Sequence, residues 1–105
     1  MKSNHLKCNV AEYAVIINKK GEFLILELVK SKKYSKEAWM LPGGRLETND
    51  ASEQGLQREV IEETGLRIKV ITPCHTVKRT DTKPAKYSVF FLCRLSSRSK
   101  VCLSP

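Results

Sequence analysis

Apolar positions along the chain follow two different spacings. Tyr13-Ala14-Val15-Ile16-Ile17 is an apolar, β-branched run that stops at Asn18-Lys19-Lys20-Gly21-Glu22, and Phe23-Leu24-Ile25-Leu26-Glu27-Leu28-Val29 resumes at once. Two strand-like runs around a short turn ending in Gly predict a β-hairpin. Both runs are nearly continuous, the pattern of sheet buried on two faces. Residues 31–37 are polar and Lys-rich and predict a loop. Trp39-Met40-Leu41 is a short apolar piece stopped by the breaker Pro42-Gly43-Gly44.

The spacing then changes to a helical period from residue 51 to about 64, with Leu56 and Val60 on one side. Asp50 or Asn49 is placed to supply the N-cap oxygen, and Glu53 lies three residues past Asp50, as in a capping box. Gly65 stands where a left-handed residue ends a helix. Alternation returns over 66–71, predicting a strand that continues through Val77 after a bend at Pro73. A turn-rich loop covers 80–85, Tyr87-Ser88-Val89-Phe90-Phe91-Leu92-Cys93 predicts the last strand, and 96–105 has no periodicity.

A chain of 105 residues suffices for one domain and is short for two. No apolar run approaches the ~20 residues of a membrane span, and residues 1–7 lack the apolar segment of a secretory signal. The expectation is a soluble cytoplasmic protein with no membrane partner. The formal charge of +8 attracts polyanions, nucleotides and nucleic acids among them, and is equally met in a solvated basic surface. The strands lack a clear aromatic stacking pattern, which disfavours a nucleic-acid binder. Cys8, Cys74, Cys93 and Cys102 are widely separated and read as reduced thiols, with Cys74 and Cys93 in apolar runs.

Glu59, Glu62 and Glu63 fall at i, i+3 and i+4 near the helix end, within an arc of about 100°. Like charges at that spacing cost roughly 0.2–0.5 kcal/mol, and acids in a last turn oppose the helix dipole. A hard divalent cation would resolve both conflicts; so would nearby lysines on a solvated face. Pro42-Gly43-Gly44 ahead of the helix adds a segment whose backbone can approach a ligand closely. A glycine-rich loop leading into clustered carboxylates is suited to cradle a metal and a diphosphate.

From Gly44 to Leu66 the sequence reads GRLETNDASEQGLQREVIEETGL and resembles the Nudix box, G-x5-E-x7-R-E-U-x-E-E-x-G-U. Gly44, Arg58, Glu59, Val60, Glu62, Glu63, Gly65 and Leu66 match at their spacing; Asp50 stands where the family has Glu. The resemblance implies an α/β/α sandwich with a mixed β-sheet, the domain occupying 10–95, with 1–9 an N-terminal segment and 96–105 a tail. By the family's measure this is short at the C-terminus, where another strand and a helix usually follow. That shortfall raises self-association, or a longer gene product, as expectations.

The resemblance further implies a magnesium-dependent hydrolase (manganese as a substitute) that cleaves a pyrophosphate bond in a nucleoside diphosphate linked to another moiety. Glu59 and Glu63 would be the principal ligands and Glu62 a further ligand or the orienter of the attacking water. The Gly43 carbonyl would complete the set, with Glu59 as general base. Gly44, Asp50, Arg58 and Gly65 would support the site, Arg58 by pairing with the glutamates. The alternative is a non-catalytic Nudix-like module that binds a nucleotide or a protein. His75 and Asp81 are conceivable substrate contacts, but a strand-surface His and a turn Asp explain them better.

Overall fold

The computed structural model describes residues 5–28 and 38–96. In chain order the elements are β1 (Cys8–Ile16), β2 (Leu26–Leu28), β3 (Ala38–Met40), β4 (Gly43–Arg45), α1 (Ser52–Thr64), β5 (Ile68–Arg79) and β6 (Ala85–Leu95). Four strands form a sheet in the order β4-β1-β6-β5, and β2 and β3 form a separate ribbon. The β1–β6 pair is parallel while β4–β1 and β5–β6 are antiparallel, so the sheet is mixed.

The core lies between this sheet and α1. Ala14 and Ile16 of β1 sit in register with Phe91 and Cys93 of β6, and the period of two turns all four to the same face. Leu56 and Val60, one helical turn apart, press onto them, with Leu66 and Ile68 closing the end. Burying side chains of this size contributes about 1.5–3 kcal/mol each. Inside, the Cys93 thiol is pushed up to about 12 by burial, which fits its reading as an inert reduced Cys. Cys74 is exposed instead, because nearly all of β5 beyond Ile68 lies outside the core.

Three sequence expectations change. The hairpin is only begun: Asn18 and Glu22 close the turn and Ile17 bridges Phe23, after which the second arm leaves and β2 pairs with β3. Phe23 and Ile25 are exposed, so the start of that arm, 23–25, is not sheet buried on both faces. The breaker at Gly43-Gly44 is itself strand β4, paired along β1. The strand through Val77 holds, as one continuous β5 with register shifts at Val70/Thr72 and Pro73/His75. Residues 97–105, including Cys102 and the expected tail, lie outside the described residues, as does the loop over 31–37. None of the described helices is long and apolar enough to cross a membrane.

Candidate active site

The helix and β4 run past each other in opposite directions. A Cβ on Gly55 would stand 2.9 Å from Leu46, and one on Gly44 would stand 3.1 Å from Glu59 Oε2. Gly43 N–H donates to Glu63 Oε1 at 2.7 Å. Glu59 and Glu63 therefore both end on the Gly43-Gly44 dipeptide. Only glycine serves at residue 43: its φ is 145°, and a Cβ there would lie 2.1 Å from the Glu12 carbonyl oxygen.

Arg58 gathers the remaining acids. Its guanidinium holds Asp50 at 2.7 and 3.1 Å, Glu59 at 3.3 Å, Glu62 at 3.5 Å and Glu47 at 3.8 Å. Asp50 is not the helix cap. The N-cap residue is Ala51, with no side-chain bond to the first turn. The Asp50 carboxylate instead accepts the Glu47 N–H at 2.9 Å and the Arg58 fork, bracing the loop against the helix. The Glu47 N–H and then Arg58 hold the Asp50 carboxyl below its ordinary range. Among the described residues Glu63 has no such cation. Desolvation raises its carboxyl, the Gly43 N–H offsets part of this, and the charges of Glu59 and Glu62 raise it further.

The fit to a divalent cation is one of donor type and placement. The three carboxylates are hard oxygen donors on one side of α1, and two of them reach the same backbone dipeptide. Burial, and then the charges of Glu59 and Glu62, disfavour ionised Glu63, a cost that a bound cation would offset. As they lie, Glu59 and Glu62 turn to Arg58 and Glu63 to Gly43. No three His, Cys, Asp or Glu side chains among the described residues stand together as a finished metal shell. Closing them on an ion takes side-chain rotation.

A family model, the NUDIX domain, matches residues 9–104. The chain belongs to the Nudix family. It is similar to an 8-oxo-dGDP phosphatase of Danio rerio, with 42% identity over 59 residues, 56% of this chain and 18% of that protein. It is also similar to an RNA pyrophosphohydrolase of Pasteurella multocida, 38% identical over 55 residues that cover 52% of this chain and 25% of that protein. The first curated relatives are matched over no more than 37% of their length. Among solved structures, a MutT protein from Methanosarcina mazei superposes with a TM-score of 0.73 at 28% identity, over 95% of this chain and 73% of that one. An ADP-ribose pyrophosphatase from Streptococcus suis shares the fold, with a TM-score of 0.72 at 21% identity, over 94% and 68% of the two chains.

Within this Nudix domain the box is a strand–loop–helix unit. Gly65 ends α1 in the left-handed conformation, φ 74°, with its N–H on the Ile61 carbonyl at 2.8 Å. On the face of the sheet away from α1, Tyr13 stacks on Phe90 at 5.4 Å and His75 lies 5.9 Å from Phe90. The three rings are register partners across β1, β6 and β5. This is an aromatic row that sequence reading did not find, since only the register brings residues 13, 75 and 90 together. Beside it is a cavity of about 300 Å³ lined by Tyr13, Met40, Leu41, Arg79, Lys86 and Phe90, among others. Lys86 Nζ donates to the Tyr13 hydroxyl at 3.2 Å, and Arg79 is paired with Asp81 at 2.8 Å, which accounts for that turn acid.

Sequence reading also missed Glu12. It is 2% exposed on the face shared with Ala14 and Ile16. Its Oε2 accepts the Ser52 hydroxyl, and its Oε1 has no partner among the described residues. Burial raises its carboxyl, with Ser52 acting against that and the charges of Asp50 and Glu53 with it. Period-two alternation from Ala14 and Ile16 back to residue 12 is the signal that placed this acid on the core face.

Proposed function

We propose that this domain is a magnesium-dependent pyrophosphohydrolase acting on a nucleoside diphosphate linked to a further phosphate or another moiety. The observation that carries the reading is the meeting of Glu59 and Glu63 on Gly43-Gly44. Glu59 and Glu63 would hold the cation, with Glu62 as a further ligand or as orienter of the attacking water, and the Gly43 carbonyl as a backbone donor. When bound, magnesium lowers the pKa of water and neutralises charge that builds on the leaving phosphate. Glu59 is assigned the proton from the attacking water. Arg58 keeps Glu59 and Glu62 aimed along α1 while Asp50 fixes Arg58.

The cavity beside Tyr13 supports a nucleotide as the substrate. Tyr13 is the register partner of Gly43, so the ring row and the carboxylates meet at one backbone position from opposite faces of the sheet. A base can stack on aromatic rings while Lys86 lies near for a phosphate. The relatives named as an 8-oxo-dGDP phosphatase and an RNA pyrophosphohydrolase act on substrates of this general kind. The test is a nucleotide panel with magnesium, read as released phosphate or pyrophosphate. Turnover abolished by chelation and by Glu63→Gln is expected.

One observation favours the second reading, a non-catalytic nucleotide- or protein-binding module: all three glutamates already have partners. Saturable nucleotide binding without turnover across the panel would select it.

A further inference from the structure

We propose that Glu12 is a positioning residue for the carboxylate face of α1. Through Ser52 it fixes the first turn of the helix on β1, and so sets where Glu59 and Glu63 meet Gly44 and Gly43. The inference rests on the reading of those glutamates as cation ligands.

A carboxylate in this place is costly. Glu12 is 2% exposed, and among the described residues its carboxylate has one hydrogen bond, from the Ser52 hydroxyl, and its second oxygen has no partner. Burying such a group without full satisfaction destabilises, and apolar residues commonly replace buried charges without loss. Its neighbours on that face, Ala14 and Ile16, are apolar core. Stability alone does not account for Glu12.

Its position does. The first turn of α1 packs through Gly55 against Leu46 but has no side-chain cap, because Ala51 makes no such bond and Asp50 is committed to Arg58. The Glu12–Ser52 contact is a tether from the sheet to that end. Ser52, Glu59 and Glu63 are spaced i, i+7 and i+11, which is one face of a 3.6-residue helix. Glu12 is the register partner of Gly44, over which Glu59 lies. Anchor and landing point therefore sit on the same pair of strands. With 100° of rotation per residue, a small turn of α1 about its axis would carry Glu59 off Gly44.

The experiment measures Mn2+ binding to the full chain by titration calorimetry, well below its melting temperature, so that only folded protein is read. Ser52→Ala and Glu12→Ala should each weaken binding roughly tenfold, as loss of a group that orients ligands does. The double variant should be no weaker than either single one, because both remove the same tether. Glu12→Gln should bind like wild type, since its amide oxygen still accepts the Ser52 hydroxyl. A merely structural role predicts otherwise for Ser52→Ala: a lower melting temperature from the unpartnered Glu12 carboxylate, with the Mn2+ affinity of the folded protein unchanged. Wild-type affinity in Ser52→Ala, or additive losses in the double variant, overturns the proposal. If Glu12→Ala fails to fold, Ser52→Ala decides alone. A wild-type chain that binds no Mn2+ overturns the ligand reading itself, and the tether's role with it.

Discussion

Gly43 N–H donates to Glu63 Oε1 at 2.7 Å, across twenty residues of sequence. The bond ties the last turn of α1 to β4 and engages an oxygen that a cation would also claim. Magnesium or manganese should raise the melting temperature, because a ligand that binds only the folded state stabilises it by about 2.7 kcal/mol at a hundredfold excess over Kd. Glu63→Gln keeps an acceptor for Gly43 but loses the charge, and should remove most of the shift. Thermal melts with and without the ion check this; equal responses in wild type and variant count against the site.

Hydrolysis should be lost in Glu59→Gln and Glu63→Gln, by roughly a hundredfold or more in kcat, with the fold retained. Far-UV circular dichroism and a cooperative melt would establish that fold. Turnover within about tenfold of wild type in both variants would place the active site elsewhere.

Arg58→Lys should lower kcat by roughly tenfold although the charge is kept. The guanidinium holds Asp50 by a two-bond fork and reaches Glu59 and Glu62 at once, and an ammonium has no such fork. Asp50→Ala should mimic it, since Asp50 is what fixes Arg58. Kinetics of the two variants and their combination check the link: coupled residues give less than additive losses.

Much of this site was legible along the chain, and the reason is local periodicity. Leu56 and Val60 facing the sheet, the glutamates on one side of α1 and the left-handed Gly65 all follow from helical spacing and backbone sterics. What escaped depends on long-range register. Two consecutive glycines carry no strand propensity, yet Gly43 and Gly44 become β4 because β1 supplies a partner. The acid read as the cap, Asp50, turns away because Arg58, two helical turns on, and the Glu47 N–H offer it stronger partners. Glu12 stands just ahead of the apolar run at 13–17 and drew no notice there; only packing shows that it lies beneath Ser52.

Gly43→Ala should destabilise severely. A positive φ of this kind costs a non-glycine residue roughly 1–3 kcal/mol. Its Cβ would also overlap the Glu12 carbonyl, which belongs to the paired strand and cannot turn aside as a side chain could. A melting temperature lower by many degrees is expected, with metal response lost in whatever folds. A variant as stable as wild type would show that β4 can separate from β1.

Stability of the metal-free protein should rise as the pH is lowered from neutral. Glu63 and Glu12 both titrate above their ordinary 4.5, each chiefly through burial. Between 4.5 and those raised values the folded chain binds more protons than the unfolded one, so stability falls as pH increases through that window. Asp50 and Asp81 act with the opposite sign. Their carboxyls sit below 3.8, held by Glu47 and Arg58 in one case and Arg79 in the other, and their contribution is lost only as pH falls below 3.8. Melting temperature measured in a chelator should therefore climb as the pH falls towards 4.5 and drop below 3.8. Glu63→Gln should flatten the climb, leaving the part owed to Glu12. With magnesium present the slope should diminish or reverse, because the cation binds the ionised carboxylates and protons compete with it. A melting temperature that shows no rise as the chelated wild type is brought from neutral pH down to 4.5 would mean that Glu63 and Glu12 are not strained by burial.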